Sequence, residues 1–192
     1  MGIEYEWKLK AEPQVQEALF RETEGIWRET AMETTYYDTA DGQLSSLHYT
    51  LRRRTENGKS VCTIKTPSAD GGRGEWEVEE TSIEQAIPKL CKLGGPENLL
   101  SLTQNGIQAI CGAKFLRRFC QINLDKTVVE LALDRGILTG GTREIPLCEV
   151  EIELKEGSKE AAAAFAMYIS QNYGLTPEKK SKFRRALDLT KE

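Results

Sequence analysis

The chain has 192 residues, 39% apolar and 29% charged, with a formal net charge of −4. That length fits a single domain over residues 1–192 with a substantial core, and the near balance of charge argues for neither nucleic-acid nor membrane binding. Five scattered cysteines without CxxC spacing, no apolar run long enough for a bilayer, and a charged N-terminal strand lead to the expectation of a soluble, cytoplasmic protein.

A first strand is predicted over residues 3–11. Pro13 then opens a helix to about residue 24, with Val15, Ala18 and Leu19 as its apolar stripe. Residues 27–39 read as a second strand ending in Tyr36-Tyr37-Asp38-Thr39. Asp41-Gly42 is a turn, followed by a short helical turn around Leu44 and Leu47. Strands at 49–55 and 60–66 flank Asn57-Gly58, the strongest hairpin signal in the chain. A polar, glycine-rich loop is expected over 67–72 and a strand over 73–81. From 82 to 112 the pattern turns helical, with breaks at Pro88, Gly94-Gly95-Pro96 and Gly106. Three strands follow, at 114–124, 128–135 and 145–155. Gly157-Ser158 caps a helix running to about residue 172, and the tail over 177–189 is helical in its second half. Eight antiparallel strands with helices in the long connections define an α+β domain on a large sheet or barrel.

Residues two apart on a strand share a face. Glu4, Glu6 and Lys8 therefore point one way, and Glu149, Glu151, Glu153 and Lys155 point one way near the other end of the chain. The same separation of charge from apolar side chains recurs on other strands. Arg52 and Arg54 oppose Leu51, Lys65 opposes Ile64, and Arg73, Glu75 and Glu77 oppose Trp76. Arg117 opposes Leu116, and Glu130 and Asp134 oppose Leu131 and Leu133. On one strand this is an ordinary solvated face. Repeated over eight, it suggests a closed barrel with a charged lumen and helices packed outside. Converging carboxylates repel unless a cation lies among them, which suits a hard divalent metal. Arginines and lysines suit phosphate oxygens. Together they describe a site for a metal-bound polyphosphate.

These residues resemble the CYTH superfamily, the triphosphate tunnel metalloenzymes. The family's ExExK signature is similar to Glu4-x-Glu6-x-Lys8, and its LRxR strand to Leu51-Arg52-Arg53-Arg54. Its lysine strand resembles Thr63-Ile64-Lys65, and its RxExE-like strand Arg73-x-Glu75-x-Glu77. Arg117, the run from Glu130 to Gly136 containing Asp134, the closing Glu149-x-Glu151-x-Glu153 and Ser181-Lys182 complete the ordered set. The resemblance implies an eight-stranded antiparallel barrel forming a tunnel, with Mg²⁺ or Mn²⁺ as cofactor and a triphosphate-containing small molecule inside. On that basis Glu4, Glu6, Glu151 and Glu153 are assigned to metal, with Glu149 as a helper. Arg52, Arg54, Lys65 and Arg117 form a phosphate clamp, Lys8 and Lys182 close its ends, and Arg73 joins the clamp or its supports. Glu75, Glu77, Glu130 and Asp134 hold the bases in place. Lys8 and the four metal carboxylates are the catalytic set.

The expected reaction is metal-dependent hydrolysis of inorganic tripolyphosphate to pyrophosphate and orthophosphate by a monomer or homodimer. The alternatives are a thiamine or nucleoside triphosphatase, with Trp27 at the mouth to stack an organic ring, a class IV-type adenylate cyclase, and a non-catalytic polyphosphate-binding module. His48 is expected at the rim or surface, Asp38 in a structural role, and Arg53 and Arg118 outside the lumen.

Overall fold

The computed structural model describes residues 2–69 and 72–191, with the side chains of Gly2 and Ile3 excepted. The strands are β1 (Gly2–Glu4), β2 (Glu6–Lys10), β3 (Arg28–Asp38), β4 (Thr50–Glu56), β5 (Lys59–Pro67), β6 (Arg73–Glu79), β7 (Gln108–Leu124), β8 (Thr127–Gly140), β9 (Arg143–Glu156) and β10 (Thr176–Pro177). The helices are α1 (Pro13–Glu22), α2 (Gln43–Ser46), α3 (Ile83–Lys92), α4 (Leu99–Thr103), α5 (Lys159–Asn172) and α6 (Lys182–Asp188). Residues 70 and 71 of the expected loop, and the inward or outward sense of Ile3, lie outside the described residues. No described helix is long and apolar enough to cross a membrane.

The hydrogen-bonded strand order is β1-β6-β5-β4-β3-β7-β8-β9-β2-β10, all antiparallel. β1 and β2 are one stretch of chain, interrupted only at Tyr5. Its first part pairs with β6, Glu4 opposite Arg73. Its second part pairs with β9, Glu6 opposite Glu153 and Lys8 opposite Glu151. At the switch, the Tyr5 carbonyl accepts from the Leu154 N–H at 2.9 Å. Among the described residues no unbroken strand closes the sheet. The segment 2–10 changes partner and so joins its two ends. With β1–β2 taken as one strand and the short β10 set aside, eight strands surround a tunnel, as expected.

The alternation expected from sequence sends apolar side chains outward from two sides of the barrel. Leu131, Leu133, Val150 and Ile152 pack under Leu19 of α1 and Ala162, Ala166 and Ile169 of α5. Leu51, Cys62 and Ile64 pack under Ile83, Ala86, Ile87 and Leu90 of α3 and Leu99 of α4. The Asn57-Gly58 turn has φ of 48° and 76°, the paired left-handed values that a two-residue hairpin requires. Ser82 and Ser158 cap α3 and α5 by accepting from Gln85 N–H and Ala161 N–H.

Three features depart from expectation. Pro88 does not break α3, which runs through it from Ile83 to Lys92 with Pro88 on the exposed side. Residues 108–112 are strand, not helix: β7 begins at Gln108 and pairs with the end of β3, across a bulge at Tyr36/Tyr37. Their short apolar run carries no period that separates the two states. Finally, not every apolar strand face is outward. Met32, Tyr36, Phe115, Leu138 and Leu147 form a third cluster with Phe183 and Ala186 of α6. Met32, Tyr36 and Phe183 also line the tunnel, so α6 lies against the inner face of the barrel. Gly140 permits this approach, since a Cβ there would run into the Ala186 carbonyl.

Asp38 ends β3 and is 2% exposed. Its carboxylate accepts from the N–H groups of Thr39, Leu44 and Ser45 at 2.8, 2.9 and 3.0 Å, and so holds α2. Asp38→Ala strands three donors and is expected to cost roughly 2–3 kcal/mol, measured as a lower urea midpoint without change in the tunnel.

Candidate active site

The tunnel holds a cavity of about 320 Å³. Glu4, Glu6, Glu151 and Glu153 line one wall, delivered side by side by β1, β2 and β9. Arg52 and Arg54 of β4, Lys65 of β5 and Arg117 of β7 line the facing wall, with Arg73, Lys8 and Lys182 around the edge. Glu75, Glu77, Glu130 and Lys155 join the lining. Residues as far apart in sequence as 4 and 182 are thus brought to one cavity. Asp134 and Glu149 do not line it. Both are fully buried behind the wall.

Burial makes each of these charges depend on its neighbours. Lys8 reaches Glu6 at 2.8 Å, Lys155 reaches Glu153 at 2.8 Å, and Lys65 bridges Glu4 and, at 3.2 Å, Glu75. Arg52 lies 3.6 and 3.8 Å from Glu75 and Glu77. Burial, then repulsion from Glu6 and Glu75, raises the Glu4 carboxyl above its ordinary range, despite Lys65. Burial, with Glu4 and Glu130 nearby, does the same to Glu153, despite Lys155. Burial and Glu151 also push on Glu6, but Lys8 and Lys65 outweigh them and hold it low. Repelling carboxylates with no histidine or cysteine in the described lining make an all-oxygen donor set that fits a hard divalent cation.

The opposite wall carries the complementary strain. Arg54 has no ion pair among the described residues; its Nε donates to Thr34 Oγ1 at 3.3 Å. Burial, then the like charges of Arg52 and Arg117, lowers it to about 10. The buried Nε of Arg52 has no hydrogen-bond partner among the described residues. Cationic donors in this condition are suited to an anion that accepts from several of them.

Behind the acidic wall, Asp134, Glu149 and Glu151 place carboxylate oxygens within 4.8 Å of one another. Lys182 occupies their midst, with Nζ 2.7 Å from Asp134 and Glu151 and in contact with Glu149. Arg117 grips Asp134 through two 2.7 Å bonds and touches Glu151, while Arg185 binds Glu149. Three buried acids are matched by three bases. Sequence reasoning placed Glu149 and Lys182 at metal and phosphate. The structure pairs them with each other, and only Lys182 also reaches the tunnel.

Other expectations resolve by position. Trp27 lies outside the tunnel, its ring centroid 5.1 Å from that of Phe20 and its Nε1 donating to the Thr23 carbonyl. His48 is exposed at one mouth. Arg53 donates to the Thr81 carbonyl, and Arg118 binds Glu17 and Glu29. Sequence reasoning missed Tyr36 and Phe183 as tunnel residues, with ring centroids 5.1 Å apart. The period-two position of Tyr36, in phase with Thr34 and Met32, is the signal that marks its face.

With this geometry in place, the family is clear. Residues 2–187 match the CYTH domain, and the chain belongs to that family. The inorganic triphosphatase of Haemophilus influenzae is 31% identical over 126 residues, covering 65% of this chain and 36% of that protein, so the match spans about a third of the relative's length. The PH1819 protein of Pyrococcus horikoshii superposes with a TM-score of 0.63 at 20% identity, covering 97% of this chain and 99% of that one. The Hippeastrum protein HpAC1, an adenylyl cyclase by name with a dominant triphosphatase activity, superposes with a TM-score of 0.62 at 18% identity, covering 99% and 97%. At these identities the two structures establish the fold.

Lys182→Met would leave three buried carboxylates with two arginines, and is expected to destabilise by roughly 3–5 kcal/mol at pH 7.5. In the parent protein Lys182 and Arg117 overcome burial and hold Glu151 well below its ordinary value of 4.5. That contribution is present above the unfolded pKa and disappears as pH falls through the folded one. Burial already raises the Glu149 carboxyl to about 7 despite Lys182 and Arg185. Removing Lys182 leaves burial less opposed at Glu149 and Glu151, so the variant is expected to lose stability as pH rises. Urea midpoints at pH 5 and 7.5 should therefore differ less between parent and variant at pH 5.

Proposed function

We propose that this chain is a divalent-metal-dependent triphosphatase that hydrolyses inorganic tripolyphosphate to pyrophosphate and orthophosphate. The observation that carries this reading is the tunnel's pair of walls, repelling carboxylates facing Arg54, which has no ion pair among the described residues, and Arg52, whose buried Nε has no hydrogen-bond partner among them. The activity named for the Haemophilus relative supports it, as does the dominant activity of the Hippeastrum protein.

Glu4, Glu6 and Glu153 would hold Mg²⁺ or Mn²⁺, with Glu151 beside them. The metal would supply Lewis acidity and neutralise charge on the phosphate chain. Arg52, Arg54 and Arg117 present guanidinium donors to phosphate oxygens, and Lys65, Lys8 and Lys182 add point charges. Asp134 holds the Arg117 guanidinium through two bonds and so fixes one side of the clamp. Glu75 and Glu77 orient Arg52. Phosphoryl transfer depends mainly on such positioning and charge neutralisation, with water as the attacking group. The inorganic substrate is preferred over a thiamine or nucleoside ester because Trp27, the ring expected to stack an organic group, packs against Phe20 outside the tunnel.

Tripolyphosphate, ATP and thiamine triphosphate, each incubated with Mg²⁺ or Mn²⁺, discriminate the readings. Fastest orthophosphate release is expected from tripolyphosphate; cyclic AMP and pyrophosphate from ATP would overturn the proposal. Chelation should abolish turnover and either metal restore it. Glu6→Gln and Glu153→Gln are each expected to lower kcat at least about 100-fold with the far-ultraviolet circular dichroism retained. Near-normal turnover in both would remove these carboxylates from metal binding.

A further inference from the structure

The tunnel opens at one end into a second cavity of about 550 Å³. The two share Lys8, Thr50, Arg73, Ser181 and Phe183, so one continues into the other. The outer cavity adds His48, Lys179, Lys180 and Arg184. Among the described residues no carboxylate lines it. The tunnel mixes acids with bases throughout, and the chain as a whole is net negative. The far end of β4 shows the contrast. Thr50 stands at the basic vestibule, while Glu56 lines the tunnel beside the Asn57-Gly58 turn.

The vestibule's cations are not fully neutralised. Lys180 and Arg184 share a single carboxylate, Asp188, at 2.7 and 3.2 Å. Lys179 has no ion pair among the described residues. Arg73 sits at the junction, where its Nη2 donates to the His48 carbonyl at 3.3 Å and to Thr50 Oγ1 at 3.1 Å. A line of positive charge therefore leads from the clamp to solvent. An organic ring would find little to stack on there, since Phe183 already packs against Tyr36.

We propose that this vestibule is a second anion subsite, continuous with the tunnel, that takes the fourth and later phosphates of a linear inorganic polyphosphate. The inference rests on the tripolyphosphate reading and extends it to chain length. A phosphate chain longer than three carries its extra charge out of the mouth, where Lys179, Lys180 and Arg184 meet it. Surface cations of this kind contribute modestly one by one and are screened by salt.

The test compares kcat/KM for tetrapolyphosphate and tripolyphosphate in the full chain and in Lys179→Ala/Lys180→Ala/Arg184→Ala. The parent is expected to favour tetrapolyphosphate, and the triple variant to lower the tetra-to-tri ratio about tenfold at low salt. Lys179→Ala alone, which removes no ion pair and leaves α6 anchored, should lower the ratio about twofold to threefold. A ratio unmoved by both variants overturns the subsite. If neither compound is hydrolysed, the triphosphatase reading fails by itself, and calorimetric binding of the two compounds still reads the vestibule. Selective loss of tetrapolyphosphate affinity in the variants upholds it. Equal loss for both compounds, or none, overturns it.

Discussion

The interaction on which this molecule depends is the burial of one ammonium among three carboxylates. Lys182 reaches Asp134, Glu149 and Glu151 from α6, and with Arg117 and Arg185 it balances them. An unpaired charge at that depth costs several kcal/mol. The network therefore requires α6 to lie inside the barrel, and Gly140 and the Phe183–Tyr36 contact accommodate it there. Gln16 of α1 extends the same constraint by donating to the carbonyls of Asp134 and Glu149. The site's back wall is thus tied to α1, α6, β7, β8 and β9 by one connected set of ion pairs and hydrogen bonds.

The tunnel lining is different. Its acids repel, its arginines lack full sets of acceptors, and short ion pairs across the space only partly compensate. A protein interior tolerates this where a ligand of opposite pattern is expected to arrive. The fixed network behind the wall and the frustrated charges in front of it share Arg117, Glu151 and Lys182. The same three side chains therefore belong both to the buried ion-pair network and to the cavity lining.

Much of the fold was legible because its strands obey a strict period of two. That period placed Glu4, Glu6, Glu151 and Glu153 on one side and Arg52 and Arg54 on another, and the Asn57-Gly58 turn fixed one hairpin locally. What escaped were features set by distant contact. The strand character of residues 108–112 comes from pairing with β3, which no local propensity reveals. The inward position of α6 escaped because its basic run reads as a solvated surface, although Lys182 is 7% exposed. Glu149, read as a helper to the metal carboxylates, lies behind the wall with Lys182 and Arg185, since alternation assigns a face but not a depth along the tunnel. Trp27 offered an aromatic ring without any signal of direction, and packing with Phe20 decided it.

The change of partner at Tyr5 bears on how the chain reaches this structure. Its first residues must meet β6, about 70 positions on, and then β9, about 150 positions on. Hairpins such as β4–β5 and β7–β8 join sequence neighbours, whereas the seam at residues 2–10 is a non-local contact with a large loop-closure cost. During synthesis from the N-terminus the seam can be half sewn once residue 79 has emerged, but β9 must follow before it is complete. Until then the carboxylates of Glu4 and Glu6 lack the wall that β9 supplies. Formation of the tunnel therefore needs pairing across most of the chain, and the acidic wall of Glu4, Glu6, Glu151 and Glu153 is complete only when β9 has joined β2.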